Sequence, residues 1–207
     1  LYRRVSRQNS GNMYLNTHSY YSLRYGVMSV KRLLETAVQR GHDTLALTDI
    51  NTTSACLDFV RRSFQFGVRP VLGIDFRNGR HRRYVGIARN NEGFSELNAF
   101  LSAHLHSGEV FPEVAPQLSN AVFIYPWALF SGRKLRENEY LGVAPADLFR
   151  FERSRFPDFT EKVLAFHTAT FSGTYKDFNT HRLLRAIDNN TLLSKLPKGE
   201  EGDRGDC

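Results

Sequence analysis

Short apolar runs that end on polar side chains recur along the first part of the chain. They lie at 14–18, 45–49 and 70–76. The segments between them, 29–41 and 54–67, place apolar residues on one face at helical spacing. A strand, helix, strand series repeating at about 30 residues is typical of βαβ units. The pattern therefore predicts parallel strands covered by helices.

The helix boundaries and faces follow from capping residues and periodicity. The first helix is predicted to begin after the N-cap Ser29 and to stop at Gly41, with an apolar stripe of Val30, Leu33, Leu34, Ala37 and Val38. The second is predicted to turn Leu57 and Val60 inward. Asp177 is predicted to cap a closing helix with a buried face of Phe178, Leu183, Leu184 and Ile187.

The same α/β alternation continues with a weaker pattern in the second half. Strands are predicted at 84–88, 121–124 and 162–166, and helices at 91–106 and 145–151. No internal repeat and no break in composition divides this part into two domains. The chain is therefore predicted to hold one α/β domain.

Length and composition support one domain with polar ends. The 207 residues are 41% hydrophobic, enough for a substantial core. We expect a disordered leader or cloning remnant at 1–12, the domain at 13–196, and a polar tail at 197–207 that leads to a further region. The two cysteines, Cys56 and Cys207, are too few for a disulfide scaffold. With no apolar run that could cross a bilayer, a cytoplasmic protein without membrane contacts is expected.

Charge changes the picture only slightly. The formal net charge is +7, which favours a surface near polyanions. The basic residues are scattered, so a stand-alone nucleic-acid-binding protein is the weakest interpretation. Any contact with DNA is expected to be indirect.

Two carboxylates and a histidine close the three early apolar runs. Asp49 and Asp75 lie at or near the ends of the second and third, and His18 ends the first. Because ligands collect at the carboxyl ends of strands in parallel α/β folds, a shared pocket is one interpretation. The other is that Asp49 only caps the helix that follows. Spacing alone leaves both open. Cys56 has no nearby partner base in its predicted helix, so we expect a small buried residue and not a nucleophile.

Four ordered motifs and a late helical segment resemble the polymerase and histidinol phosphatase (PHP) domain, in the form found at the amino terminus of bacterial DNA polymerase III alpha subunits. They lie at 15–26, 46–53, 68–76, 87–93 and 181–187. The resemblance covers about 13–196. It implies an α/β fold, a distorted TIM-like barrel of seven strands with outer helices, which agrees with the alternation of elements.

Active members of this family hold divalent metals with His, Asp and Glu side chains at strand ends and hydrolyse phosphoester bonds. Carried over by position, the resemblance retains three ligands, His18, Asp49 and Asp75. It places poor ligands or none at Asn16, Ile50, Ala169 and Phe171. Because multi-metal chemistry needs nearly every ligand, no catalytic residue and no cofactor are expected. A weakly held divalent ion on the three retained side chains is the alternative, although His18 is better explained as a buried, hydrogen-bonded histidine.

The family's ligand position on the fourth strand corresponds to Arg83. His81 lies two residues earlier on the same predicted face, so a shifted register would supply an imidazole instead. We expect Arg83 to replace the metal as the counter-charge between Asp49 and Asp75. The surrounding basic run is interpreted as a solvated hairpin, with a phosphate-binding patch as the alternative; it consists of Arg77, Arg80, His81, Arg82, Arg83 and Arg89.

The resemblance implies a role within a larger protein. We expect a non-catalytic PHP scaffold domain that packs on the remainder of a replicative DNA polymerase chain and helps to seat a proofreading exonuclease subunit. The parent chain would be a DNA-directed DNA polymerase, a nucleotidyltransferase. The alternative is a metal-dependent phosphoesterase or a 3′-5′ proofreading exonuclease.

Overall fold

The computed structural model describes residues 13–154, 161–170, 173–197 and 200. Its strands are β1 (Met13–Thr17), β2 (Thr44–Leu47), β3 (Arg69–Asn78), β4 (His81–Ala88), β5 (Ala121–Pro126), β6 (Glu139–Val143), β7 (Val163–Ala165) and β8 (Thr168–Ala169). Its helices are α1 (Val30–Gln39), α2 (Cys56–Phe66), α3 (Asn91–Ser107), α4 (Leu148–Arg153) and α5 (Tyr175–Asp188). None of these helices is long and apolar enough to span a bilayer. The predicted leader and all but two residues of the predicted tail lie outside the described residues.

The eight strands form one sheet in the order β7-β6-β5-β4-β3-β2-β1-β8. β8, β1, β2 and β3 are parallel, as the βαβ pattern predicts for the first three strands. β4 turns back as an antiparallel strand between β3 and β5, whereas β5, β6 and β7 are again parallel. The hairpin between β3 and β4 turns at Gly79, whose φ of 57° favours glycine. The sheet thus combines two parallel halves joined through one hairpin.

The two edge strands of this sheet are consecutive in the chain. β7 and β8 are separated by Phe166 and His167 alone. Because so short a connection spans at most about 10 Å, the sheet must curl until its edges approach each other. A Cβ on Gly142 of β6 would lie 2.6 Å from the Phe166 ring. The packing of Phe166 against β6 therefore requires glycine at position 142. The predicted barrel-like fold is confirmed, with eight strands and not seven. The sequence pattern did not predict β6 and β8.

Three apolar clusters fill the fold. One contains only residues of the strands together with Phe166, and we place it on the concave side of the curled sheet; its buried members are Ala46, Val85, Ile87, Ile124 and Phe166. α1 and α2 cover a second cluster that includes Leu34, Leu47 and Phe59. α3 covers the third, which includes Phe76, Leu97 and Phe123. Helices therefore pack on the outside of the sheet.

The predicted face of α1 is confirmed except at Val38, which is 47% exposed. In α2 the predicted inward position of Leu57 is wrong, and Val60 is half-buried. Ser29 caps α1 by accepting the N–H of Arg32 at 3.2 Å. In α2, Leu57 is 80% exposed, whereas Phe59 is fully buried. The inward face of α2 consists of Cys56, Phe59 and Ser63. Because Ser63 is polar but buried, the apolar residues of α2 predicted the wrong inward face.

The predicted cap and face of α5 also need correction. Thr174 is the N-cap, and its hydroxyl accepts the N–H of Asp177 at 3.2 Å. Leu183 and Ile187 are 51% and 56% exposed. The buried face is partly polar and consists of Asp177, Phe178, His181, Arg185 and Ala186. These polar side chains have partners in distant segments, which a hydrophobic pattern cannot reveal.

Candidate functional site

Asp75 of β3 is a fully buried carboxylate contacted by three nitrogen-bearing side chains. Arg77 donates to its Oδ2 from Nη2 at 2.7 Å and from Nε at 3.1 Å. Arg82 of β4 donates to the same oxygen from Nη2 at 2.9 Å and from Nε at 3.0 Å. The Nε2 of His18 lies 3.0 Å from Oδ2. Because the two arginine side chains are only 8% and 17% exposed, these charges are compensated within the cluster and little by water.

A β-bulge in β4 decides which arginine reaches this carboxylate. Pairing is regular up to Tyr84, opposite Phe76, but Arg77 then pairs with Arg82. Arg83 is therefore the extra residue of the bulge. An unbroken ladder would have placed Arg83 opposite Arg77. The prediction that Arg83 supplies the counter-charge is wrong, because the bulge gives that position to Arg82.

The charges of the cluster set the protonation of His18 and Asp75. Burial raises the pKa of Asp75, but Arg77, Arg82 and the His18 hydrogen bond outweigh burial and hold that pKa well below its ordinary value. Burial lowers the pKa of His18 to about 4, against the attraction of Asp75. A neutral His18 donates its Nε2–H to Asp75, and its buried Nδ1 has no hydrogen-bond partner within the described part of the chain. His18 is thus a buried, hydrogen-bonded histidine, as predicted.

His18 should make stability depend on pH. Its pKa is about 4 in the fold, against an ordinary 6.5, so between these values the unfolded chain binds the extra proton and acid favours unfolding. When the pH is lowered from about 7 to about 5, the free energy of unfolding of the parent is expected to fall by about 2 kcal/mol more than that of His18→Gln. Urea denaturation at each pH measures the difference. The exposed His106→Gln is the control and should keep the parent's slope, whereas parallel curves for the parent and His18→Gln would contradict this assignment.

Asp49 belongs to a different network from Asp75. Its Oδ1 accepts the Ser19 N–H and the Ser22 hydroxyl, and its Oδ2 accepts the Ser19 hydroxyl, each at 2.7 Å. Burial raises the pKa of Asp49, and these hydrogen bonds oppose the increase. The N-cap of α2 is Ala55, so Asp49 does not cap that helix. The carboxylate instead fixes the loop after β1, and Arg83 does not bridge the two aspartates.

The remaining predicted positions serve the backbone and the closure of the sheet. The Asn16 amide donates to Thr168 at 2.8 Å and accepts from Thr48 at 2.9 Å, so it joins β1 to β8 and to the end of β2. The Ala169 carbonyl accepts the His18 N–H at 3.0 Å. Ile50 forms an isolated bridge with Asp75 and is partly buried. Phe171 lies outside the described residues.

The residues present do not fit a divalent metal. Oδ2 of Asp75 is surrounded by two guanidinium groups and an imidazole, and both oxygens of Asp49 accept hydrogen bonds from serines. His81, which a shifted register would have brought in, is exposed beside the hairpin turn. Among the described residues, no group of three or more His, Cys, Asp or Glu side chains is arranged to hold a metal. The carboxylate of Asp75 binds guanidinium groups, which occupy the oxygen that a metal ion would need.

A second buried carboxylate, Glu139 of β6, was missed by sequence reasoning. Arg133 donates to both of its oxygens at 2.7 and 2.8 Å, and Arg136 donates from Nη2 at 2.6 Å and from its backbone N–H at 2.8 Å. The Tyr125 hydroxyl donates at 3.0 Å. Burial raises the pKa of Glu139, but the arginines outweigh it and lower the pKa to about 2. The available signal was a pair of acids, Glu137 and Glu139, after a basic segment and at the start of an unpredicted strand.

Comparisons with known proteins agree with the sequence motifs. The PHP domain family matches residues 15–144. The chain is 26% identical over 155 residues to DNA polymerase III subunit alpha of Treponema pallidum (strain Nichols), covering 62% of this chain and 13% of that protein. It is 23% identical over 199 residues to DNA polymerase III subunit alpha of Streptococcus pyogenes serotype M6, covering 93% and 18%. An amidohydrolase from Chromobacterium violaceum matches with a TM-score of 0.38 and 23% identity, covering 47% of this chain and 34% of that one.

The chain spans less than a fifth of the length of these two polymerase subunits. The family match extends over more than half of the 207 residues. It includes most of β1 and all of β2 to β6, and it therefore contains His18, Asp75, both arginines on Asp75, and Glu139. On this ground the chain belongs to the PHP domain family.

Proposed function

We propose that the chain is a non-catalytic PHP scaffold domain of a bacterial replicative DNA polymerase of the DNA polymerase III alpha subunit type. One observation carries the proposal: Arg77 and Arg82 bind the buried Asp75 from two strands. Active members of the family place metal at such carboxylates, and here guanidinium groups supply the positive charge. A guanidinium group neutralises a carboxylate and fixes its geometry, but it does not activate water as a metal ion does.

The arginines would also resist a metal. A divalent ion about 5 Å from one guanidinium charge is repelled by roughly 7 kcal/mol at an effective dielectric constant near 20. Two arginines share Asp75, and the neighbouring Asp49 is bound by serine hydroxyls. The site therefore supports a structural role, in which buried charges hold β1, β3 and β4 together.

The proposal predicts no metal-dependent nuclease activity. The chain is expected to release no nucleotides from single-stranded DNA with manganese, magnesium or zinc, because Asp75 is bound by arginines and Asp49 by serines. A chelator is expected to leave its melting temperature unchanged. Nucleotide release on gels and calorimetric melting measure the two effects. Chelator-sensitive release that disappears in Asp49→Asn would favour the alternative, a metal-dependent phosphoesterase or a 3′-5′ proofreading exonuclease.

The partners form the second half of the proposal. Its relatives include DNA polymerase III alpha subunits several times longer than this chain, which supports packing on the remainder of such a polymerase. The family resemblance adds the seating of a proofreading exonuclease subunit, with DNA contacted through the assembled enzyme. Co-elution of the chain with the polymerase remainder and with the exonuclease subunit tests each contact separately. Failure to co-elute with either partner would contradict the scaffold role.

A further inference from the structure

A cavity of about 250 Å³ lies beside the bulge of β4. Its wall combines the β3–β4 hairpin, the end of β5 and the segment that follows β5. Basic and hydroxyl-bearing side chains dominate the polar part of the wall: His81, Arg82, Arg83, Tyr125, Ser131 and Arg133. His81 and Ser131 are exposed, so the cavity is open to solvent. It lies between the Asp75 and Glu139 clusters, since Arg82 belongs to one and Arg133 to the other.

Each of these two clusters carries an excess positive charge. Asp75 has one negative charge and binds both Arg77 and Arg82, while His18 is neutral near pH 7 because burial lowers its pKa to about 4. Glu139 likewise binds two arginines with one negative charge. One arginine of each cluster lines the cavity. Both walls therefore present a net charge of about +1 to the space between them.

Arg83 adds a third positive charge, and no acid among the described residues neutralises it. As the extra residue of the bulge it lines the cavity, and the Asp75 carboxylate binds Arg77 and Arg82 instead. Its buried Nε has no hydrogen-bond partner, and its guanidinium forms no ion pair with any described residue. Glu113, the acidic residue of the wall, is exposed and forms no ion pair with it. A buried N–H without an acceptor is costly, so this side chain is arranged for an acceptor that enters the cavity.

We propose that this cavity binds a phosphate dianion between Arg82, Arg83 and Arg133. The excess charge of the two clusters and the charge of Arg83 together outweigh the single negative charge of Glu113 on the wall. This balance favours a dianion over a single carboxylate, and one guanidinium group can donate to two phosphate oxygens at once. The aromatic rings of the wall are already covered, because Arg133 lies 4.9 Å from the Tyr125 ring centre and 5.4 Å from that of Phe130. A base would find no free ring to stack on. The cavity therefore recognises the phosphate group itself, whether free or at the end of a nucleotide or strand, and binds it without cleavage.

This site is separate from the scaffold function, and isothermal titration calorimetry of the 207-residue chain with inorganic phosphate tests it. Saturable binding is expected, and Arg83→Gln should weaken it about tenfold or more, because one charge-assisted hydrogen bond is lost. Arg61→Gln, an exposed arginine of α2 outside the cavity, is the matched control and should bind as the parent does. Circular dichroism confirms that both variants fold. Arg83→Lys, which keeps the charge but not the Nε donor, should have intermediate affinity.

Further titrations distinguish the sources of the phosphate. Deoxynucleoside monophosphate and a short oligonucleotide with a 5′-phosphate are each compared with the unphosphorylated form. Stronger binding of the phosphorylated form that is lost in Arg83→Gln supports the site and identifies which source fits. Equal loss of binding in Arg61→Gln, no saturable binding of any phosphate, or release of phosphate from an ester would each overturn the proposal.

Discussion

Asp75→Asn is expected to lower the free energy of unfolding by about 3–5 kcal/mol, the typical cost of breaking a buried ion pair. The change keeps the shape of the side chain but removes the only negative charge that faces Arg77 and Arg82 among the described residues. Two buried guanidinium groups would then repel each other across one amide. In a domain of this size the melting temperature should fall by about 10 °C. Urea denaturation and calorimetry measure both values.

The control for this change is Asp43→Asn, which makes the same chemical substitution on an exposed carboxylate that accepts only from Thr44 among the described residues. It should change stability by less than about 0.5 kcal/mol. Arg77→Ala should resemble Asp75→Asn, because it also breaks the buried cluster. Arg83→Ala should cost less, since Arg83 pairs with no acid in the described part of the chain. Equal losses for Arg77→Ala and Arg83→Ala would refute the assignment of Arg82 and Arg77 to Asp75.

Glu139→Gln is expected to lower the free energy of unfolding by about 3 kcal/mol. The glutamine would leave Arg133 and Arg136 without a negative partner and would weaken the hydrogen bond from Tyr125. The two arginine side chains are 24% and 31% exposed, so water compensates part of the loss and the effect should be smaller than at Asp75. Urea denaturation near neutral pH measures it.

Glu109→Gln is the matched control for Glu139, because Glu109 is exposed and its carboxylate forms no ion pair with any described residue. A neutral result there with a large loss at Glu139 would show that burial and the arginines cause the effect. If both glutamine variants were equally stable, the Glu139 cluster would contribute nothing beyond an exposed surface ion pair.

The elements with strong periodicity could be predicted from the sequence, and so could the two residues His18 and Asp75 of the site. The spacing of apolar residues predicted α1, and Ser29 was predicted as its cap. The polar residues at the strand ends predicted that His18 and Asp75 lie in one pocket, where they are hydrogen-bonded to each other. These features depend on local pattern, which the sequence contains directly. The two aspartates were expected to share one counter-charge, and the structure binds each with different groups.

The errors arise where a distant contact changes a local pattern. One extra residue in β4 moves Arg82 into the position that regular alternation assigns to Arg83. The buried face of α5 contains His181, whose ring is fixed by the Tyr25 carbonyl at 2.7 Å. The apolar residues of α5 therefore do not identify its buried face. β6 was missed because Glu139, a charged residue, is buried within it. Bulges and buried ion pairs depend on partners far along the chain, and hydropathy does not encode those partners.

The connection of β7 to β8 has a consequence for the order of folding during synthesis. β1 emerges from the ribosome before the other strands of the sheet, yet one of its edges pairs with β8, about 150 residues later in the chain. Until β8 is made, β1 presents an unpaired edge to other nascent chains, and such edges template aggregation. Closure is thus the most non-local step of this fold and belongs late in its folding. A ribosome that stalls before Thr168 would release a chain whose strands β1 to β7 are complete but whose sheet remains open.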